Sequence, residues 1–203
     1  VHAGKTMSHE IISVVSCLGQ DLADGELLQL SNVSNPHFSE EIYFDVIRKK
    51  TAALFAACTK SAALSVNASD EEAEFSRLFG EYIGICFQIK DDIFDYFESK
   101  EIGKPTGNDM LEGKLTLPVL YALNSTNSTW AQEIAVKVKE GIATPDEIGR
   151  LVDFTKSNGG IEYAVKMMEL YKGKALDLLH SLPPSEVCTA LEAYLDYVVD
   201  RDK

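Results

Sequence analysis

The sequence predicts an all-α protein, built as an antiparallel bundle of helices. Apolar residues recur at three- and four-residue spacing along nearly the whole chain. No segment shows the period-two alternation of a strand, and the breaks between helical stretches are short turn clusters. A first helix is expected over residues 1–30, where Ile11, Val14, Val15, Leu18 and Leu22 form its apolar stripe. The turn cluster SNVSNPHFS (31–39) ends it. A second helix covers 40–66, with Ile42, Phe44, Ile47, Leu54, Phe55 and Cys58 facing inward. Ser69 and Glu72 then make a capping box, and Asp70 and Glu71 suit the positive end of a helix dipole. That third helix is expected to run to about residue 96.

The stretch FESKEIGKPTGNDMLEGK (97–114) is rich in Gly, Pro and charge, and longer than a connection requires. Loops of that length inside a compact domain are usually functional. Short helices are expected at 116–123 and 129–140. Thr144-Pro145-Asp146-Glu147 is a second capping box, with Pro at the first helical position. Its helix closes at SNGG (157–160), and 160–182 and 185–200 complete the bundle. Without a Pro- or Ser-rich linker, residues 1–203 read as a single domain.

Thirty-two acids against nineteen bases give a formal charge of −13, which disfavours nucleic acid and anionic membranes and suits cations. An anionic ligand would need local lysines or bound metal to receive it. The four cysteines show no CxxC pairing and the histidines no metal-ligand spacing, which fits reduced thiols in a cytoplasmic protein. No apolar run of about 18 residues is present, so no membrane span is expected.

The stretch FQIKDDIFD (87–95) carries the chemistry. On a helix, Glu81, Gly84, Gln88, Asp91 and Asp95 share one non-apolar face, with Asp92 beside it. Phe79, Ile83, Cys86, Phe87, Ile93, Phe94 and Phe97 fall on the adjacent, core-like side. Asp91 and Asp95 lie roughly 6 Å apart along the axis, so each can give an oxygen to a hard cation. Mg²⁺ uses this kind of partial coordination, with waters and phosphate oxygens completing its shell. A solvated outer face is the competing reading. Against it stand Gly84, which costs a helix interior roughly 1 kcal/mol relative to Ala, and Gln88 one turn before the acids. Lys49-Lys50-Thr51, Lys104 and Lys114, with Asp109 between the last two, could form the anion-receiving side. GNDMLEGKL is not a phosphate loop: five residues separate its glycines, and Leu115 stands where a Mg²⁺-binding hydroxyl belongs.

The chain resembles the trans-type isoprenyl (polyprenyl) diphosphate synthases. GICFQIKDDIFD (84–95), GKPTGND (103–109) and EGKLTLP (112–118) look like that family's second aspartate-rich motif, its Gly-Lys loop and its following Lys. GELLQL (25–30) and IRKKTAALF (47–55) match two further segments. The resemblance implies the isoprenoid-synthase type of helical bundle and a Mg²⁺-dependent condensation of isopentenyl diphosphate with an allylic prenyl diphosphate. It implies Asp91, Asp92 and Asp95 as metal residues, and Lys50, Lys104 and Lys114 as diphosphate contacts. Thr51, Gln88 and Gln29 would line the cavity beside the developing carbocation, and the protein would be a cytoplasmic homodimer.

The family's first aspartate-rich motif and its isopentenyl diphosphate segment are not in this sequence. The chain is therefore expected to be a C-terminal portion with an incomplete bundle and incomplete metal clamp, inactive in condensation by itself. A non-catalytic subunit of a heteromeric synthase, and a terpene cyclase or squalene-type synthase, are the alternative readings.

Overall fold

The computed structural model describes residues 2–5, 8–33, 38–97 and 106–201, and among these the regular structure is entirely helical. The first expected helix is two pieces, α1 (His2–Lys5) and α2 (His9–Val33). Ser8 makes the restart possible. Its hydroxyl accepts the Ile11 N–H at 3.2 Å, satisfying one of the donors a helix start leaves open. At its far end α2 runs past residue 30, through the first three residues of the expected turn cluster.

The second helix is α3 (Glu40–Ile47), a π-turn over Arg48–Ala52, and α4 (Ala53–Ser65). Ala53 N–H reaches back five residues to the Arg48 carbonyl. The extra residue moves the inward face on by one position. Phe44 and Ile47 are buried as expected, but after the π-turn Ala52 and Ala56 take the inside, while Leu54 and Cys58 are exposed. The sequence stripe placed Leu54 and Cys58 in the core; the wider turn rotates them out.

Helix α5 (Asp70–Phe94) begins at the expected capping box: Ser69 Oγ accepts Glu72 N–H at 3.3 Å, and Glu72 Oε2 accepts Ser69 N–H at 2.8 Å. Gly84 explains itself here. A Cβ built on it would lie 2.5 Å from Ala52 Cα, so the glycine lets α5 press against the π-turn. Phe97 follows the end of α5 and is exposed rather than in the core.

Further on come α6 (Asn108–Leu111), a short helix within the stretch expected to be loop, and α7 (Leu117–Ser125). Helices α8 (Thr129–Lys139), α9 (Pro145–Ser157), α10 (Gly160–His180) and α11 (Glu186–Asp200) complete the chain close to the expected boundaries. Both sides of the Thr144–Glu147 capping box are formed, and Ser185 caps α11 by accepting Cys188 N–H.

The chain sorts into two compact units, Val1–Leu27 with Asp45–Gln88 and Met168–Asp202, and Leu28–Phe44 with Ile89–Met167 and Lys203. In the first, α11 is fastened to α5 by Arg201. Its guanidinium lies 4.0 Å from the Phe87 ring centroid and donates to the Phe87 carbonyl at 3.0 Å. Cys86 is fully buried there, its thiol 3.5 Å from the Met168 carbonyl, and burial pushes the thiol pKa up to about 12. The second unit packs around Tyr96, Val119, Leu123, Val138 and Leu151. No helix among the described residues is long and apolar enough to cross a membrane.

Candidate active site

The acidic end of α5 belongs to the second unit. Asp91 is half-buried in the last turn of the helix. Asp92 is only 3% exposed and accepts a 2.6 Å hydrogen bond from the Tyr43 hydroxyl, itself buried on α3. Burial, and then the Asp92 charge, hold the Tyr43 pKa well above its ordinary value, so the phenol stays a donor.

Asp95 departs from the expected helical face, because α5 stops at Phe94. Tyr96 and Phe97 N–H close three-residue turns onto Ile93 and Phe94. The Asp95 carboxylate instead caps α6, one oxygen accepting Asn108 N–H at 2.9 Å and the other Asp109 N–H at 3.1 Å. Its carbonyl accepts Gly107 N–H. Gly107 has φ 81°, a left-handed conformation that glycine adopts without strain, and this lets the chain turn sharply into α6.

The turn brings Asp109 in beside Asp95. Burial, then the Asp95 charge, raises the Asp109 carboxyl to about 6. Lys114 bonds Glu112 and stands 3.9 Å from Asp109. The Glu112 contact raises its ammonium pKa against partial burial, and the Asp109 charge adds to that. The Tyr96 hydroxyl is buried close by, and that burial raises its pKa well above the ordinary value.

No three His, Cys, Asp or Glu side chains among the described residues form a set that could hold a metal ion by themselves. The donors are nevertheless all hard carboxylate oxygens, and burial, then the neighbouring Asp95 charge, raises the pKa of one of them, Asp109. That donor set fits a hard divalent cation, which accepts carboxylate oxygens alongside water and phosphate.

In the first unit, Lys50 and Thr51 sit on the π-turn. The Thr51 hydroxyl donates to Gln88 Oε1 at 2.7 Å, which fixes the orientation of the Gln88 amide. Lys50 pairs with Glu26 and Lys49 with Asp24, on either side of Gly25 of α2. A Cβ at Gly25 would meet both lysine side chains at 2.8 Å, so the Asp-Gly-Glu run forms a close-fitting seat for the two cations. Gln29 is half-buried further along α2. Lys104 lies outside the described residues.

Tyr43, Asp24 and Glu26 were not legible as site residues. Tyr43 meets Asp92 across 49 positions with no local motif to announce it. Gly25 between two acids was the available signal for the lysine seat.

Residues 2–154 match the family model described as polyprenyl synthetase. The chain belongs to the polyprenyl synthetase family. It is 33% identical over 196 residues to the octaprenyl diphosphate synthase of Haemophilus influenzae, covering 96% of this chain and 59% of that protein. Among solved structures it is similar to a geranylgeranyl pyrophosphate synthase from Bacteroides thetaiotaomicron, with 72% identity and a TM-score of 0.95 over 98% of this chain and 66% of that one. A polyprenyl synthase from Caulobacter crescentus, complexed with calcium and isoprenyl diphosphate, gives 29% identity and a TM-score of 0.88 over 98% of this chain and 61% of that one. The all-α fold is thus that of the family's synthases. The chain spans less than two thirds of the length of each of these relatives.

Proposed function

We propose that the chain is part of a prenyltransferase that condenses isopentenyl diphosphate with an allylic diphosphate to give a longer all-trans polyprenyl diphosphate. The observation that carries this reading is the gathering of Asp95 and Asp109 with Lys114 just beyond Asp91 and Asp92 at the end of α5. Neighbouring carboxylates, one of them raised to about 6 by burial and then by the Asp95 charge, suit a divalent cation, and an adjacent ammonium suits the anion the cation carries.

In this reading Asp91 and Asp95 would hold Mg²⁺, with Asp92 close by. When bound, the ion supplies Lewis-acid stabilisation of charge on the departing diphosphate. Lys50, Lys104 and Lys114 hold diphosphate oxygens and offset the negative charge as the allylic C–O bond ionises. Thr51 and Gln88 would present a fixed dipole to the carbocation, and the family resemblance implies a substrate-binding role for Gln29. The alkene of isopentenyl diphosphate attacks the cation, a proton is lost, and the apolar helix faces keep water away. Assembly as a cytoplasmic homodimer, and a single domain comprising both compact units, are part of the proposal.

The test is binding of a non-hydrolysable allylic diphosphate analogue with and without Mg²⁺, comparing wild type and Asp91→Ala by calorimetry. Mg²⁺-dependent binding that Asp91→Ala loses supports the assignment. Equal binding by the variant removes the metal role from Asp91.

A further inference from the structure

We propose that Tyr43 is a positioning residue for the acidic end of α5, acting through Asp92; this rests on the metal–diphosphate reading of that site. A carboxylate only 3% exposed is costly to keep charged unless donors meet it. The Tyr43 hydroxyl does so at 2.6 Å, within the short range of an O–H···O⁻ bond, and its ring is buried as well. The bond joins α3 to α5 across 49 residues of sequence, so it ties one element to another.

Where the bond falls on α5 gives it its consequence. Asp91 and Asp92 stand in the last turn of a 25-residue helix that stops at Phe94. Helix ends fray, because their last carbonyls lack partners within the helix. Successive side chains on a helix point about 100° apart, from 3.6 residues per turn. Fixing Asp92 from α3 therefore fixes the rotation of that turn, and with it the direction in which Asp91 presents its carboxylate. Asp95 is held independently, by the two α6 amides. Tyr43 is thus the anchor on the helical side of the acid group, and the Asp95 cap is the anchor on the loop side.

The experiment uses the full-length protein and Mn²⁺ as the cation, its binding followed by electron paramagnetic resonance in the presence of a non-hydrolysable allylic diphosphate analogue. Tyr43→Phe removes one hydroxyl and keeps the ring. Its Mn²⁺ affinity is expected to fall roughly 10- to 100-fold, the usual effect of removing a group that orients a metal ligand. In the Asp92→Asn background, Tyr43→Phe should cause no further loss, because its effect passes through that carboxylate. A Tyr43→Phe protein with wild-type affinity overturns the proposal, and so does a full, additive loss in the Asp92→Asn background. If Tyr43→Phe does not fold by circular dichroism, Asp92→Glu takes its place. It keeps the charge but moves the carboxylate one methylene away from the phenol; the same weakening is expected, and wild-type affinity would count against the proposal. Asp91→Ala separates the two levels. If it too retains Mn²⁺, the metal reading of the site fails. If it loses Mn²⁺ while Tyr43→Phe does not, only the role of Tyr43 falls.

Discussion

Glu147 shows how much one side chain can carry when its partners are local. It accepts from Lys137 and from Thr144 N–H, and these contacts, Lys137 first, pull its carboxyl down to about 2. A depressed carboxylate pKa contributes stability that is fully present above the ordinary value near 4.5 and lost as pH falls towards 2. The difference in Tm between wild type and Glu147→Gln should therefore be constant near neutrality and shrink between about pH 4.5 and pH 2. A difference that stays constant across that window would show that the contacts do not form in solution. This residue was legible because its capping box is a four-residue pattern. Asp91, Asp92 and Asp95 were legible as a carboxylate group for the same reason. Their separate fates were not: Asp92 goes inside to meet Tyr43 and Asp95 turns away to cap α6, and partners 49 and 13 or 14 positions distant decide both.

Among the elements, two helical glycines should respond oppositely to the same substitution. Gly149 has open space where a Cβ would go, so Gly149→Ala should stabilise α9 by about 0.5–1 kcal/mol through helix propensity. Gly84→Ala gains the same propensity but drives a methyl to 2.5 Å from the Ala52 backbone. Overpacking of that kind costs about 1–3 kcal/mol, so the net effect should be destabilising. Urea unfolding of both variants checks the pair, and a stabilised Gly84→Ala would mean that α5 and the π-turn are not so closely packed. Helix existence and most boundaries followed from periodicity, caps and Gly/Pro punctuation, which are properties of a few adjacent residues. The π-turn did not, because one extra residue in a turn leaves composition and propensity unchanged while rotating everything after it. Helix α6 was hidden for a related reason: its four residues are too short for a periodic pattern, and an aspartate 13 residues upstream caps it.

At the scale of the whole molecule, helical periodicity says which face of each helix is apolar but not what covers it. The division into two compact units was accordingly invisible in a sequence without a linker. The same limit applies to α2, where Ile12, Val15, Leu22, Leu27 and Leu30 are exposed. Fully covering one such side chain contributes roughly 1.5–3 kcal/mol, enough for several together to drive association against a charge of −13. Sedimentation velocity should show concentration-dependent association that weakens in Leu27→Glu with Leu30→Glu. An unchanged profile would exclude that end of α2 from the contact. Cys86 has a different consequence. Cys17 and Cys58 are open to solvent, whereas the Cys86 thiol is sealed and holds its proton. Alkylating reagents attack thiolates, so Cys86 should react only in molecules that have transiently opened. Its labelling rate would be a clock for the breathing of the first unit, already built into the chain.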